Sequence, residues 1–335
     1  MEYKHIFVIC TVVITITPFI ARDGGTLPPI INEFFIGVAG DFGFGTQAKS
    51  LWARLPSYHL EFFLALGDFS YGQTTERTWC ETFKASIPNL LIVAGNHDSG
   101  ESSGGNINEF VKYCPFPLSS TTFTGIYGKE YYFDYPHYGI IGWPYVPMAR
   151  FIMISPGIRY GVDGQATWTY SVGDAHYKFV SDAIDNARAL GIKWIIVGMH
   201  KVCITAGSKS CEVGQAMLDL FQNKRVDLVL QGHEHNYQRS KHLLCAKDNV
   251  YLSGCVTNSG DVYGQGNGTL IAIVGTGGAN RYSVNLGSTE GQYFMEADST
   301  SHGFLGLAFT QTMLVAYFEP SYGMYRDAFI IRRNA

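Results

Sequence analysis

Five short apolar runs in this chain end in the same way, on a glycine-containing turn that carries acidic, amide, phenol or imidazole groups. The turns are Gly40-Asp41-Phe42-Gly43, Gly67-Asp68-Phe69-Ser70-Tyr71, Gly95-Asn96-His97-Asp98, Val197-Gly198-Met199-His200 and Gly232-His233-Glu234-His235. The runs before them, at 34–40, 60–67, 90–95, 193–198 and 226–232, are nearly continuous in apolar residues. Stretches of that length and character are read as strands buried on both faces. Helical patterns accompany them: 172–190 places Tyr177, Val180, Ile184 and Ala187 on one face before a stop at Gly191, and 215–223 is a shorter helix. The early part therefore reads as β-α-β units, and the runs at 270–275, 304–310, 313–319 and 325–331 as consecutive strands. In an open α/β sheet the carboxyl ends of the strands line one crevice, so five such ends can meet there.

Taken singly, these residues have ordinary explanations. An Asp or Asn after a strand is most often a turn or cap residue, and a Tyr such as Tyr71 can simply be a packed aromatic. The ordered set changes the reading: carboxylate, carboxylate, Asn-His, His, His-x-His, each at a strand end. Oxygen and nitrogen donors without thiolates suit one or two hard-to-borderline metal ions. His302, just before the strand at 304–310, is a further candidate to reach the site from the strand-rich half. His176 falls within a helix and reads as a surface or packed residue. Gly275-Thr276-Gly277-Gly278 lacks the Lys-Ser/Thr of a phosphate-binding loop and reads as a tight turn facing the cleft.

Composition excludes several classes. Hydrophobic residues make up 46% and aromatic residues 14%, which is not a disordered chain. The net charge is only −4 with Lys and Arg scattered singly, so no basic stripe exists to track nucleic acid. The 38 glycines follow no three-residue period, which removes a collagen-like reading.

The N-terminus reads as an address. Lys4 precedes an apolar stretch from Ile6 to Ile20, shorter than the ~20 residues that span a bilayer. This fits a secretory signal over 1–21, followed by a single domain over 30–335. The expected location is secreted or lumenal, with a lysosome or vacuole as possible destinations, and no stable membrane anchor is expected. Besides Cys10 the chain has six Cys. Cys203 and Cys211 are close in sequence, as are Cys245 and Cys255, which leaves Cys80 and Cys114. Three disulfides in that pattern suit an oxidising compartment, although six cysteines allow fifteen connectivities. The sequon Asn267-Gly268-Thr269 lies in a loop that would tolerate a glycan.

The five motifs, as a set, resemble the calcineurin-like metallophosphoesterases and, within them, the purple acid phosphatases. Asp41-Phe42-Gly43 matches their Asp-x-Gly, and Gly67 to Tyr71 their Gly-Asp-x-x-Tyr. Gly95 to Asp98 matches Gly-Asn-His-Glu/Asp, Val197 to His200 matches Val-x-x-His, and Gly232 to His235 matches Gly-His-x-His. Asn236-Tyr237-Gln238-Arg239 extends the last motif as such proteins often do. The resemblance implies a four-layer αββα sandwich of two mixed β-sheets flanked by helices, in the small single-domain form. It implies a ferric ion held by Asp41, Tyr71 and His235, and a divalent Fe, Zn or Mn ion held by Asn96, His200 and His233. Asp68 would bridge the two. His97 would contact phosphate or protonate the leaving group, and Asp98 would orient His97 or a ligand imidazole.

The activity this implies is hydrolysis of small phosphorylated substrates, phosphate monoesters first, by in-line attack of a metal-bound hydroxide. A phosphodiesterase or nucleotide-cleaving enzyme of the same superfamily is the alternative, with loops 99–127 and 258–267 expected to shape the choice. A third reading is a catalytically silent protein that binds metal or a phosphorylated ligand.

Overall fold

Phe62 and Phe63 are neighbours on one strand and serve two different layers. Phe62 meets Phe133 and Phe151, with ring centroids 5.7 and 5.3 Å away, whereas Phe63 meets Phe83 at 5.3 Å. Successive side chains on a strand point to opposite faces. This pair therefore marks a sheet with a second sheet on one side and a helix on the other.

The computed structural model describes residues 33–101, 104–136, 146–161 and 166–333. The expected signal over 1–21 lies outside the described residues. The main elements begin with β1 (Glu33–Ala39), α1 (Thr46–Arg54), β2 (Phe62–Ala65), α2 (Glu76–Ser86), β3 (Leu90–Ile92) and α3 (Ile107–Tyr113). They continue with β4 (Phe123–Ile126), β5 (Glu130–Tyr135), β6 (Ala149–Ile154), β7 (Arg159–Tyr160), β8 (Ala166–Thr167), α4 (Ala175–Ala189) and β9 (Trp194–Met199). Next come α5 (Gln215–Asn223), β10 (Leu228–Gln231), β11 (Tyr237–Ser240), β12 (His242–Leu243), β13 (Val256–Asn258) and β14 (Val262–Gly264). The chain closes with β15 (Leu270–Val274), β16 (Phe294–Asp298), β17 (His302–Thr310), β18 (Met313–Tyr322) and β19 (Ala328–Arg332).

Two large mixed sheets result. The seven-stranded sheet has the order β14-β19-β18-β17-β1-β2-β3, with β1, β2 and β3 parallel and β17 antiparallel to β1. The eight-stranded sheet has the order β16-β11-β15-β10-β9-β6-β5-β4, with β6, β9, β10 and β15 parallel. The sheets face each other through aromatic rings, among them Phe34 of β1 and Phe151 of β6. On the outer face of the seven-stranded sheet, Trp52 of α1 and Trp79 and Phe83 of α2 pack together. On the far side, Val180, Ile184 and Ala187 of α4 and Met217, Leu218 and Phe221 of α5 share a buried cluster with Ile195 and Val197 of β9. These are the four expected layers, two mixed sheets flanked by helices.

Local sequence sets the helix ends. Asp174 caps α4 by accepting the backbone N–H of Tyr177 at 2.7 Å, which starts the helix three residues later than the apolar pattern suggested. Gly191 follows it at φ +76°, a left-handed conformation suited to glycine. Cystines join Cys80 to Cys114, Cys203 to Cys211 and Cys245 to Cys255, the pairing expected from spacing. Among the described residues no helix is long and apolar enough to cross a membrane.

Buried Arg239 of β11 ties the eight-stranded sheet to the C-terminal strands. Its guanidinium pairs with Asp327 (2.7 Å) and Asp261 (2.8 Å) and donates to the hydroxyl of Tyr263. Tyr237 donates to the same Asp327 at 2.7 Å. His176, read as a surface or packed residue, stacks on Trp168 and lies 3.0 Å from Glu130.

Candidate metal centre

The parallel strands β1, β2 and β3 of one sheet and β9 and β10 of the other end at a common edge, and the five motifs follow those ends. Asp41 lies two residues past β1, Asp68 three past β2 and Asn96 four past β3. His200 follows β9 directly, and His233 and His235 follow β10 by two and four.

Seven donors form two groups that meet at Asp68. In the first, the Nε2 of His200 has Asn96 Oδ1 at 3.2 Å, Asp68 Oδ1 at 3.3 Å and His233 Nδ1 at 3.1 Å. In the second, the Nε2 of His235 has Tyr71 Oη at 3.0 Å and Asp41 Oδ1 at 3.3 Å, with Tyr71 Oη 3.1 Å from Asp41 Oδ1. Ligand atoms of Asp68, His200 and His233 lie within 4.8 Å of one another, as do those of Asp41, Asp68 and His235, and all are buried.

Donor accounting shows that these groups fit metal ions. His200 Nδ1 lies 2.8 Å from the Leu66 carbonyl and His235 Nδ1 lies 2.7 Å from the Asn280 carbonyl. A carbonyl can only accept, so each Nδ1 carries the proton and each neutral ring turns the lone pair of Nε2 into the cluster. There the lone pairs of Asn96, Asp68 and His233 face that of His200. A proton relieves one such confrontation; a cation relieves all of them. In the absence of metal, burial pushes His200 down, but the charges of Asp68 and Asp41 outweigh it and lift its pKa to about 9. Burial likewise opposes the ionised forms of Asp41 and Asp68, but His200, with His235 for Asp41 and His97 for Asp68, holds both carboxyls below their usual range. Burial and the charges of Asp41 and Asp68 push the Tyr71 phenol well up, so only a strong cation would ionise it. That donor set, with two carboxylates, a phenol and an imidazole at one side and an amide and two imidazoles at the other, suits two ions of different charge.

Backbone strain is concentrated in the same place. Asp41 (φ 62°), Asp68 (53°), Tyr71 (50°) and His233 (68°) all adopt left-handed backbone, and only three other non-glycine residues among those described do so. Each costs roughly 1–3 kcal/mol and persists only where neighbours over-determine it. The neighbours are visible. Asp41 Oδ2 accepts the N–H of His233 at 2.8 Å, and Asp68 Oδ1 accepts the N–H of His97 at 2.9 Å. Gly95 is required by close approach, since a Cβ there would lie 2.2 Å from Asp68 Oδ1.

The three expected catalytic residues are placed differently from one another. His97 stands at the mouth, with its side chain 40% exposed, its Nε2 4.0 Å from Asp68 Oδ2 and its ring against Tyr71. Asp98 does not orient an imidazole. It is fully buried, and its carboxylate accepts the N–H groups of Asp68 (2.6 Å), Phe69 (2.9 Å) and Gly95 (2.8 Å), so it holds backbone. Burial and the charge of Asp68 push it up to about 7 against those bonds. His302 is buried, and its Nε2 donates to the Ala279 carbonyl at 3.0 Å, one residue before the carbonyl that holds His235. It is the first residue of β17, in the seven-stranded sheet that also carries β1, β2 and β3.

Several supporting residues were not foreseen. Glu212 lies 2.6 Å from His233 Nε2, a contact not aligned as a hydrogen bond, and 3.2 Å from Lys201. Burial opposes its charge, but His233 and Lys201 hold its carboxyl down at about 2. Tyr282 stacks on His235 with centroids 4.0 Å apart and planes 11° from parallel. Glu234, between the two histidines, is buried and accepts the N–H groups of Ser208 and Lys209. Glu234 was in view as the middle of His-x-His; Glu212 follows a cysteine in loop sequence and carried no signal.

A cleft of about 470 Å³ opens beside Tyr71 and His235, lined also by Thr46, Gln47, Gln73, Gly278, Asn280 and Tyr282. The loop 258–267, expected to shape it, instead borders a separate groove with Arg225 and His242.

Comparison with known proteins agrees with this geometry. A barley (Hordeum vulgare) nucleotide pyrophosphatase/phosphodiesterase is 24% identical over 301 residues, covering 84% of this chain and 73% of that protein. A probable inactive purple acid phosphatase of Arabidopsis thaliana is 24% identical over 303 residues, covering 82% of this chain but 43% of its own length. The purple acid phosphatase from yellow lupin (Lupinus luteus) seeds has the same fold, with a TM-score of 0.65 at 19% identity over 90% of this chain and 54% of that one. The family of calcineurin-like phosphoesterases matches residues 36–237, the stretch that carries all five motifs. The chain belongs to the calcineurin-like phosphoesterase family, and within it resembles purple acid phosphatases in both sequence and fold.

Proposed function

We propose that this chain is a binuclear-metal acid phosphatase that hydrolyses small phosphate monoesters in a secreted or lumenal compartment. The observation that carries the reading is the meeting of two donor groups at Asp68. Asp41, Tyr71 and His235 would hold a ferric ion, Asn96, His200 and His233 a divalent Fe, Zn or Mn ion, and Asp68 would touch both. Bound there, two cations would supply Lewis-acid polarisation of the phosphoryl group and of the oxygen entering or leaving it.

The chain's own residues do the rest. His97 reaches out from the mouth, where its imidazole can give a proton to the departing alkoxide oxygen. Asp98 keeps the Asp68 and Gly95 turns together, so the bridging carboxylate and the Asn96-His97 pair move as one piece. Glu212 places its carboxylate charge 2.6 Å from the outer nitrogen of His233, whose Nδ1 faces the cluster. The presence of all seven donors supports turnover rather than a silent binding protein, although plant relatives named inactive share the family.

The barley relative supports a second reading, cleavage of a nucleotide pyrophosphate or diester. Hydrolysis of 4-nitrophenyl phosphate against bis(4-nitrophenyl) phosphate at pH 5, on metal-loaded protein, separates the two. Faster monoester turnover is expected; faster diester cleavage would overturn the monoesterase reading. Silence on both with metal bound would leave a binding protein.

A further inference from the structure

Resting on the phosphoesterase reading, we infer that Lys209 selects substrates whose leaving group carries a second oxyanion, a phosphate or carboxylate, away from the scissile phosphoryl group.

The loop bearing Lys209 is built onto the metal centre. Glu234 Oε1 accepts the N–H groups of both Ser208 and Lys209 at 2.6 Å, and Glu234 sits between His233 and His235. The loop lies directly on that carboxylate: a Cβ on Gly207 would be 2.3 Å from its Cδ. The Cys203–Cys211 bond closes the same loop. The backbone of Lys209 is therefore anchored to the His-x-His turn and not carried on a free surface segment.

The side chain lies against Tyr282, a residue of the cleft wall. One face of Tyr282 covers His235 at 4.0 Å, and the Lys209 Nζ lies 5.5 Å from the Tyr282 centroid. Among the described residues Lys209 takes part in no ion pair. Glu234 faces it electrostatically, but Glu234 Oε1 is committed to two backbone N–H groups. The cleft lining itself holds no Lys, Arg, Asp or Glu; its polar groups are carboxamides and hydroxyls such as Gln47, Gln73, Asn280 and Thr46. Lys209 therefore supplies an ammonium at the Tyr282 wall of a cleft whose lining has no Lys, Arg, Asp or Glu of its own.

Its distance decides what it can recognise. With Tyr282 between the ammonium and the ligand imidazole, Lys209 stands a ring away from where the scissile phosphoryl group would sit. It addresses the far end of the leaving group. An ammonium pairing with an oxyanion there strengthens substrate binding without touching the reacting atoms.

The test uses three matched substrates on metal-loaded protein: fructose 6-phosphate, fructose 1,6-bisphosphate and 6-phosphogluconate. The wild type should favour the two with a distal oxyanion in kcat/KM, and the one more affected identifies phosphate or carboxylate. Lys209→Gln should raise KM for those two about tenfold with kcat nearly unchanged and leave fructose 6-phosphate within about twofold. Lys209→Arg should restore the preference, and an unchanged melting temperature shows that the loop is intact. An equal effect on all three substrates, or no effect on any, overturns the role of Lys209 while leaving the phosphoesterase reading in place. A wild type that cleaves none of them, nor 4-nitrophenyl phosphate, brings down that reading and this inference with it.

Discussion

Asp98 accepts the backbone N–H of Asp68 at 2.6 Å, so the residue expected to steer an imidazole instead fixes the turn that carries the shared carboxylate. The same carboxylate takes the N–H groups of Phe69 and Gly95 and is fully buried. An Asn at this position offers one acceptor oxygen and turns its NH2 toward other N–H groups. Asp98→Asn should therefore cost about 2–3 kcal/mol, from one or two unsatisfied buried donors at roughly 1–3 kcal/mol each. Urea denaturation of the metal-free protein checks this. Unchanged stability would mean that the three contacts carry no weight.

Glu212 should matter for metal retention more than for folding. Its carboxylate lies 2.6 Å from the outer nitrogen of His233, and partners of that kind typically contribute about 10–100-fold in metal affinity. Glu212→Gln should lose one ion per chain to a chelator at a concentration that the wild type resists. Chelator titration followed by elemental analysis reads this directly. Identical titration curves for variant and wild type would remove Glu212 from the site.

Tyr71 is a phenol pushed well above its ordinary pKa by burial and by Asp41 and Asp68, and it ionises only against a strong cation. If that cation is ferric iron, the protein should be coloured by a tyrosinate-to-iron absorption. Tyr71→Phe should abolish the band while keeping the aromatic contact with His97 at 4.7 Å. A visible spectrum that survives the substitution would strike Tyr71 from the donor set.

Acid sensitivity has a source outside the cluster. Burial pushes His242, which is 1% exposed, down from 6.5 to about 4. The unfolded chain then takes up a proton before the folded one does. His242 therefore leaves stability intact above about pH 6.5 and removes it progressively as pH falls toward 4, by at most about 3 kcal/mol. His242→Gln should flatten the fall in unfolding free energy between pH 6.5 and 4.5 relative to the wild type. Parallel pH profiles would show that the imidazole is already charged in the folded protein.

The parts of the structure legible in the sequence were those where one residue type has a single physical job. Strands β1, β2, β3, β9 and β10 announced themselves as apolar runs because both faces are covered, and α5 matched its expected range. The donors were legible because imidazole, carboxylate and amide at strand ends converge wherever parallel strands share an edge. β5, by contrast, reads Glu-Tyr-Tyr-Phe-Asp-Tyr, and its mixture of acids and aromatics gives no clean run. α1 shows only Ala48, Leu51 and Trp52 as buried positions, too few to set a period. The supporting layer was least legible. Glu212, Tyr282 and Lys209 come from loops whose positions depend on tertiary contacts, and the role of Asp98 turned on which atoms its carboxylate meets.

The central claim is that two metal ions share Asp68. Elemental analysis of reconstituted, desalted protein tests it most directly. The wild type should hold about two ions per chain, and Asp68→Ala should lose both or retain one weakly. A single ion in the wild type, or two tightly held ions in Asp68→Ala, would contradict the account.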